Sequence, residues 1–183
     1  MALTKVQAEG INLADAFVFS GAVSGTAGAN TPAFFASVSA DQTVTDNTVT
    51  KVQCNTEHFD TNTAYDNSTN YRFTVPSGQA GKYYVYATLQ ANSVNVTQQY
   101  NATAYIYKNG SNYLSNENNP YNNPGSALST QLSAVIDLDA DDYLEFYGRT
   151  DVVAGTAYFR HDSSHTGTST IGTTHWGVYK IIA

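Results

Sequence analysis

Short segments of alternating or β-forming residues recur along most of this sequence, and none of it sustains a helical period over three turns. These segments cover residues 48–54, 71–75, 83–89, 102–107, 132–138, 143–147 and 176–182. Lys108-Asn109-Gly110-Ser111 follows one of them. Asn-Gly is typical of a two-residue hairpin because both residues accept a positive φ. Many short strands separated by turns predict an all-β sandwich or jelly roll.

Charge and composition exclude several kinds of partner. The net charge is −7, with eight scattered Lys and Arg residues, whereas nucleic-acid binding needs clustered cations. No apolar run reaches the length of roughly 18 residues that crosses a bilayer, so we expect no membrane insertion. The opening residues lack the pattern of a secretory signal, so we expect synthesis in the cytoplasm. Cys54 is the single cysteine, which excludes an internal disulfide and suits a small buried residue.

The first 31 residues differ in composition from residues 32–183, which we predict to form the folded head. They contain apolar residues such as Val6, Ile11, Leu13, Phe17 and Phe19, which are too sparse for a core of their own. Residues 20–30 are mostly Gly, Ala, Ser and Thr, as in a flexible linker. A disordered tail is the alternative, and we favour an arm that docks on a partner.

The order of motifs in the head resembles that of C1q-like domains of the C1q/TNF family. Residues 64–76, with a Tyr-Asp turn before Phe73-Thr74-Val75-Pro76, and Gly81-Lys82-Tyr83-Tyr84-Val85 match the most specific part of that pattern. Tyr107 to Gly110, Asp141 to Phe146 and His175 to Tyr179 follow in the expected order. The resemblance implies a ten-stranded jelly-roll sandwich that forms a homotrimer and binds rather than catalyses.

The resemblance also points to a trimer interface. Alternation along residues 83–89 places Tyr83 and Val85 on one face of the strand, and Tyr84 and Tyr86 on the other. In C1q-like domains this strand belongs to the sheet that faces the threefold axis. We therefore predict that Tyr84 and Tyr86 lie at the trimer interface.

The segment from Leu3 to Asp15 is similar to the opening of structural proteins in marine bacteriophages, where short anchors precede fibre or head modules. This second resemblance implies a virion protein, attached to other virion proteins through its arm. Its role would be that of a capsid decoration or head fibre, or of a host-binding fibre. The alternative is a free soluble binding module of the C1q/TNF kind that recognises a glycan or a protein.

Catalytic and metal sites have little support in the sequence. His161 and His165 lie in a polar segment that reads as a loop, where their spacing fixes no shared face. A Ser-His-Asp triad lacks any supporting motif, so we expect no enzymatic activity. Asp139, Asp141 and Asp142 form an acidic turn whose oxygens suit Ca²⁺. Some C1q-like heads carry calcium, and a solvated acidic turn is the alternative.

Two polar segments, residues 115–125 and 151–174, read as long loops that could carry recognition. Tyr113 and Tyr121 lie among Asn residues. Tyrosine rings can stack on a sugar while amides hydrogen-bond its hydroxyl groups. This predicts a binding site for a host surface glycan, with an ordinary solvated loop as the alternative.

Overall fold

The computed structural model describes residues 30–94, 99–120, 123–161 and 171–181, and in these residues the chain forms two packed antiparallel β-sheets without a helix. The strands are β1 (Ala33–Ser37), β2 (Gln42–Val44), β3 (Thr50–Lys51), β4 (Thr56–Asp60), β5 (Tyr65–Asp66), β6 (Arg72–Thr74), β7 (Gly81–Ser93), β8 (Gln99–Lys108), β9 (Ser111–Asn118), β10 (Ala127–Leu138), β11 (Tyr143–Val152), β12 (Ala157–Phe159) and β13 (His175–Lys180). No helix in this part of the chain could span a membrane.

The thirteen described strands form a sheet of seven and a sheet of six, each built around a run of five strands, and this confirms the predicted all-β jelly-roll sandwich. Sheet A has the order β4-β1-β13-β7-β10, and sheet B has the order β5-β6-β11-β8-β9. The three other described strands are short. β2 and β12 extend sheet A, and β3 pairs with β11 in sheet B. Nearly every neighbour comes from a distant part of the sequence, so non-local pairing holds the fold together.

An aromatic cluster joins the two sheets at the centre of the sandwich. Phe34 on β1 stacks on Tyr65 of β5, with ring centroids 4.2 Å apart, and on Phe73 of β6 at 5.5 Å. Trp176 on β13 meets Phe34 edge-on at 4.8 Å. The Tyr65 hydroxyl, buried with its ring, donates a hydrogen bond of 2.8 Å to the carbonyl oxygen of Cys54. The cluster therefore buries large rings from both sheets and leaves the tyrosine hydroxyl satisfied.

Cys54 lies beside this cluster and is fully buried, as expected. Burial raises the pKa of its thiol because the charged thiolate is disfavoured away from water. The residue is therefore a small apolar member of the core.

The hairpin at Asn109-Gly110 is confirmed. β8 ends at Lys108 and β9 begins at Ser111, so the loop has two residues. Both have the positive φ angles that such a turn needs, 52° for Asn109 and 77° for Gly110.

The strand predicted over residues 48–54 is wrong in its length, because only Thr50 and Lys51 are paired as a strand. On the edge of this segment that does not face β11, the side chain of Gln42 takes the place of a neighbouring strand. Its amide nitrogen donates to the carbonyl oxygen of Lys51 at 2.8 Å, and its amide oxygen accepts from the backbone nitrogen of Gln53 at 2.9 Å. A side chain thus satisfies backbone groups that a neighbouring strand would otherwise pair.

Other predicted segments differ in extent. β9 continues to Asn118, so the first four residues of the polar segment 115–125 are strand rather than loop. The segment 151–174 contains β12, which pairs with both β2 and β7. Polar side chains concealed the end of β9, because β9 is an edge strand with seven of its eight residues exposed. The proposed arm, residues 1–29, lies outside the described residues, so the division at residue 31 stays a prediction.

We predict that Phe34→Ala lowers the free energy of unfolding by about 3–5 kcal/mol, because it removes a fully buried ring that contacts both sheets. Tyr113→Ala is the matched control, since that ring is 55% exposed. It should change stability by no more than about 0.5 kcal/mol. Urea unfolding followed by tryptophan fluorescence measures both. Equal effects of the two substitutions would contradict the central role of the cluster.

Candidate functional site

The outer side of sheet A carries a set of solvent-facing aromatic residues. Alternation produces it: Phe34, Val85 and Val178 point into the core, so their neighbours along each strand point outwards. We call this surface the aromatic face, and it consists of Phe35, Phe59, Tyr84, Tyr86 and Tyr179.

Strand register assembles the aromatic face from four strands. One cross-strand row runs from Phe59 on β4 through Phe35 on β1 and Gly177 on β13 to Tyr86 on β7. The next row pairs Tyr179 with Tyr84. The rings contact one another along both rows, because cross-strand neighbours on one face lie within reach of aromatic side chains. Phe35 and Tyr86 have centroids 6.2 Å apart, and Tyr84 lies 5.3 Å from Tyr179.

Gly177 allows Tyr86 to lie flat on the sheet. A Cβ atom at this position would come within 2.4 Å of the Tyr86 hydroxyl oxygen and 2.8 Å of the carbonyl oxygen of Phe34. The ring of Tyr86 therefore covers the backbone of β13. Partial burial raises the pKa of the Tyr86 hydroxyl, and the neighbouring Tyr179 and Tyr84 add to that rise.

Two histidines flank Phe35 on this surface. The His58 ring stacks on Phe35 at 4.9 Å, and its Nε2 lies 2.9 Å from Oγ of Ser37. His175 meets the same ring edge-on at 5.5 Å. Both imidazoles thus extend the aromatic face.

The aromatic face is open to solvent in the single chain. Phe59 is 49% exposed, Tyr179 is 36% exposed, and Val135 on the adjacent β10 is 55% exposed. A shallow cavity of about 260 Å³ lies between β7 and β10, and Tyr84, Tyr86 and Ser133 contribute to its lining. Clustered exposed rings on a rigid sheet are typical of a surface that another protein covers.

Sequence reasoning found Tyr84 and Tyr86 on this surface and missed Phe35, Phe59 and Tyr179. The residues Phe34 and Phe35 are adjacent in a strand, so one of them had to face outwards. That signal was available in the sequence. The position of Phe59 was not, because it depends on the pairing of β1 with β4 and on a register shift between Phe35 and Ala36.

The other candidate residues are either on the opposite sheet or in loops, or lie outside the described residues. Tyr113 is on β9 of sheet B, next to a register shift in its pairing with β8. Tyr121, His165 and the arm residues Val6, Ile11, Leu13, Phe17 and Phe19 lie outside the described residues. The backbone nitrogen of His161 donates to Oδ1 of Asp41 at 2.7 Å. The glycan site at Tyr113 and Tyr121 therefore stays a prediction.

The acidic turn at residues 139–142 is tied to the neighbouring hairpin. Oδ2 of Asp142 lies 2.8 Å from Nζ of Lys108 and accepts from the backbone nitrogen of Asp139 at 2.9 Å. Oδ1 of Asp142 accepts from the side-chain amide of Asn109 at 2.7 Å. These contacts lower the pKa of Asp142 to about 2, the Lys108 ammonium being the largest cause. Asp142 thus clamps two turns together.

Calcium at Asp139, Asp141 and Asp142 stays a prediction from the sequence. Across residues 30–94, 99–120, 123–161 and 171–181, no three His, Cys, Asp or Glu side chains are grouped to hold a metal ion. Both carboxylate oxygens of Asp142 already have donors within the protein.

No protein-family model matches the chain, and no curated protein sequence matches it. Solved structures do. The globular domain of zebrafish complement 1qA protein has a TM-score of 0.52 at 16% identity, covering 82% of this chain and 98% of that one. This chain has a C1q/TNF-like jelly-roll fold.

Two further structures show the same fold similarity. Murine APRIL has a TM-score of 0.53 at 14% identity, covering 81% of this chain and 98% of that one. The TNF protein Eiger from S. frugiperda has a TM-score of 0.51 at 13% identity, with 82% and 92% covered. These likenesses confirm the jelly roll that the motif order implied.

We predict that Asp142→Asn lowers the free energy of unfolding by about 1 kcal/mol at pH 7, because it removes the charge that Lys108 contacts. The folded-state pKa of Asp142 lies below the unfolded value of about 3.9, so its contribution is present above pH 4 and is lost as the pH falls towards 2. The variant should therefore lose less stability than the wild type between pH 4 and pH 2. Denaturant unfolding across this range measures both.

Asp141→Asn is the control for this effect, since Asn tolerates the φ of 68° at that position. It should leave the acid profile of the wild type unchanged. An Asp142→Asn protein as stable as the wild type at pH 7 would contradict the clamp.

Proposed function

We propose that this chain is a non-enzymatic structural protein of a virion. Its C1q/TNF-like head forms a homotrimer through the aromatic face, and residues 1–31 attach it to the particle. The aromatic face is the main support for a trimer, because Phe59 and Tyr179 are open to solvent on sheet A of the single chain. Burying such rings between copies removes apolar area from water, at about 25 cal/mol per Å².

Geometry supports association through the sheet surface rather than through a strand edge. The rows of the aromatic face follow the register of four strands, so the surface is rigid before any partner arrives. Preorganised aromatic surfaces lose little conformational entropy on binding. Closed assemblies of identical chains are the usual state of soluble oligomers, and the C1q/TNF resemblance of the sequence implies three copies.

The virion role rests on the sequence of the arm. Leu3 to Asp15 is similar to the opening of phage structural proteins, and residues 20–30 suit a linker between anchor and head. Within this role the head serves as a capsid decoration or head fibre, or as a fibre that binds host surface glycan. The net charge of −7 on the full chain disfavours binding to nucleic acid.

The second candidate is a free soluble binding module. Fold similarity to complement 1qA, APRIL and Eiger favours it, since none of these structures is named as a virion protein. The two candidates share the trimeric head and differ only in what residues 1–31 do.

We predict that Tyr86→Lys converts the trimer to a monomer, because the assembly would bury an ammonium group among Tyr84, Phe35 and Tyr179. Lysine is among the residues most rarely buried without a partner. Light scattering of the full chain measures the mass, and far-UV circular dichroism verifies the fold. Tyr113→Lys, on the other sheet, should remain trimeric. A trimeric Tyr86→Lys protein would exclude this residue from the interface.

The virion role predicts that antibodies against the chain label purified virus particles, at a copy number divisible by three. A variant with Leu13→Asp and Phe17→Asp should form the same trimer and fail to bind particles that lack the protein. If particles carry none of the chain and it is found only free, the soluble module is the correct interpretation.

A further inference from the structure

The outer side of sheet B carries a second tyrosine surface that faces away from the aromatic face. Ile106 and Phe146 are fully buried, so their neighbours along β8 and β11 point outwards. Tyr105 and Tyr147 are directly paired across these strands, and the rings of Tyr107 and Tyr147 lie 4.3 Å apart. We call Tyr105, Tyr107 and Tyr147 the tyrosine platform.

Two ion pairs flank the tyrosine platform. Lys51 forms an ion pair with Glu145, which is directly paired with Tyr107. Arg149 and Glu117 form a second ion pair of 3.3 Å on the other side of the platform. Asp151, which is directly paired with Asn101, adds a further carboxylate to the same side of β11. Lys51 and Arg149 are thus occupied by carboxylates, and this further carboxylate disfavours an anionic ligand.

Three buried polar atoms beside the platform have no hydrogen-bond partner. They are Oδ1 of Asn101, Oγ1 of Thr103 and Nε of Arg149. Thr103 is 5% exposed and Asn101 8% exposed. Both lie on the outer side of β8, because Ala102 between them is in the core. Thr103 pairs across the sheet with Arg149.

Unsatisfied polar atoms are costly, at about 1–3 kcal/mol each. Three of them on one side of a tyrosine row therefore need an explanation. The long side chains of Arg149 and Glu117 reach towards each other from the strands on either side of Thr103. Their ion pair is partly exposed, at 29% and 39%, and such a pair contributes little to stability. A ligand that supplies hydroxyl groups can separate this pair and satisfy the buried atoms.

We propose that the outer face of sheet B binds a neutral saccharide. The rings of the tyrosine platform stack on the apolar side of a pyranose, and its hydroxyl groups hydrogen-bond with Thr103, Asn101, Arg149 and Glu117. The proposal rests on the proposed function as a binding head and gives that head its ligand class. It names residues other than Tyr113 and Tyr121, and it lies on the opposite sheet from the aromatic face.

Other occupants fit this surface less well. Nucleic acid needs cations free to contact phosphate, whereas Lys51 and Arg149 are paired. A second copy of the chain would bury apolar side chains more favourably on the aromatic face, where Phe59 and Val135 are exposed. Tyrosine hydroxyl groups and paired charges suit a polar, uncharged partner.

The test is a titration of the full-length chain with neutral gluco-, galacto- and manno-oligosaccharides, followed by NMR and calorimetry. One of these sugars should bind with a dissociation constant of about 1 mM or lower. Tyr107→Ser should weaken binding at least about tenfold through loss of the stacking ring. Tyr107→Phe keeps the ring and should retain binding.

Thr103→Val separates a binding role from a structural one. It keeps the shape and removes the unpaired Oγ1, so the folded chain should be as stable as the wild type or more stable. Saccharide affinity should nevertheless fall several-fold. If Thr103 had only a structural role, the substitution would lower saccharide affinity only by lowering the stability of the fold.

Val94→Ser is the control, because Val94 follows β7 of sheet A and is 61% exposed, and it should bind as the wild type does. The proposal is overturned if no neutral saccharide binds at about 20 mM. It is also overturned if Tyr113→Ser abolishes binding while Thr103→Val and Tyr107→Ser do not. Light scattering of the same samples gives the oligomeric state, so the trimer and the saccharide site are tested independently. A trimer that binds no sugar overturns only this one, and a monomer that binds sugar overturns only the trimer.

Discussion

Stacking of Phe34 on Tyr65 and Phe73 is the interaction on which the rest of this fold depends. It joins a strand of sheet A to two strands of sheet B, and Trp176 closes the cluster from the side. These rings determine which side chains of their strands point into the core. A shift of the strand register by one residue would move every side chain to the opposite side of the sheet. Both outer surfaces are therefore set by the packing of the core.

The two outer surfaces differ in chemistry although both are rich in tyrosine. On sheet A the rings lie beside Phe35 and Phe59, with Gly177 making room for Tyr86. On sheet B the rings lie among ion pairs and unpaired polar atoms. The first surface suits apolar contact with identical chains, and the second suits hydroxyl groups. A head that assembles through sheet A can therefore bind a ligand on sheet B at the same time.

Much of this fold could be predicted from the sequence, and the exceptions have physical causes. The hairpin at Asn109-Gly110 and the outward facing of Tyr84 and Tyr86 follow from local chemistry. The short strand at residues 50–51 has the side chain of Gln42, rather than a second strand, as hydrogen-bond partner along its other edge. The contribution of Phe59 to the aromatic face depends on pairing between β1 and β4. Neither contact leaves a signal in the local sequence.

The central claim is that other copies of the chain cover the aromatic face. Hydroxyl-radical footprinting of the full-length protein tests it directly, because Phe59 and Tyr113 are similarly exposed in the single chain, at 49% and 55%. Labelling of the unfolded chain corrects for the different reactivity of the two side chains. The account predicts that Phe59 is oxidised several-fold more slowly than Tyr113 in the assembled protein. Equal corrected rates would show that the aromatic face is uncovered and would contradict the account.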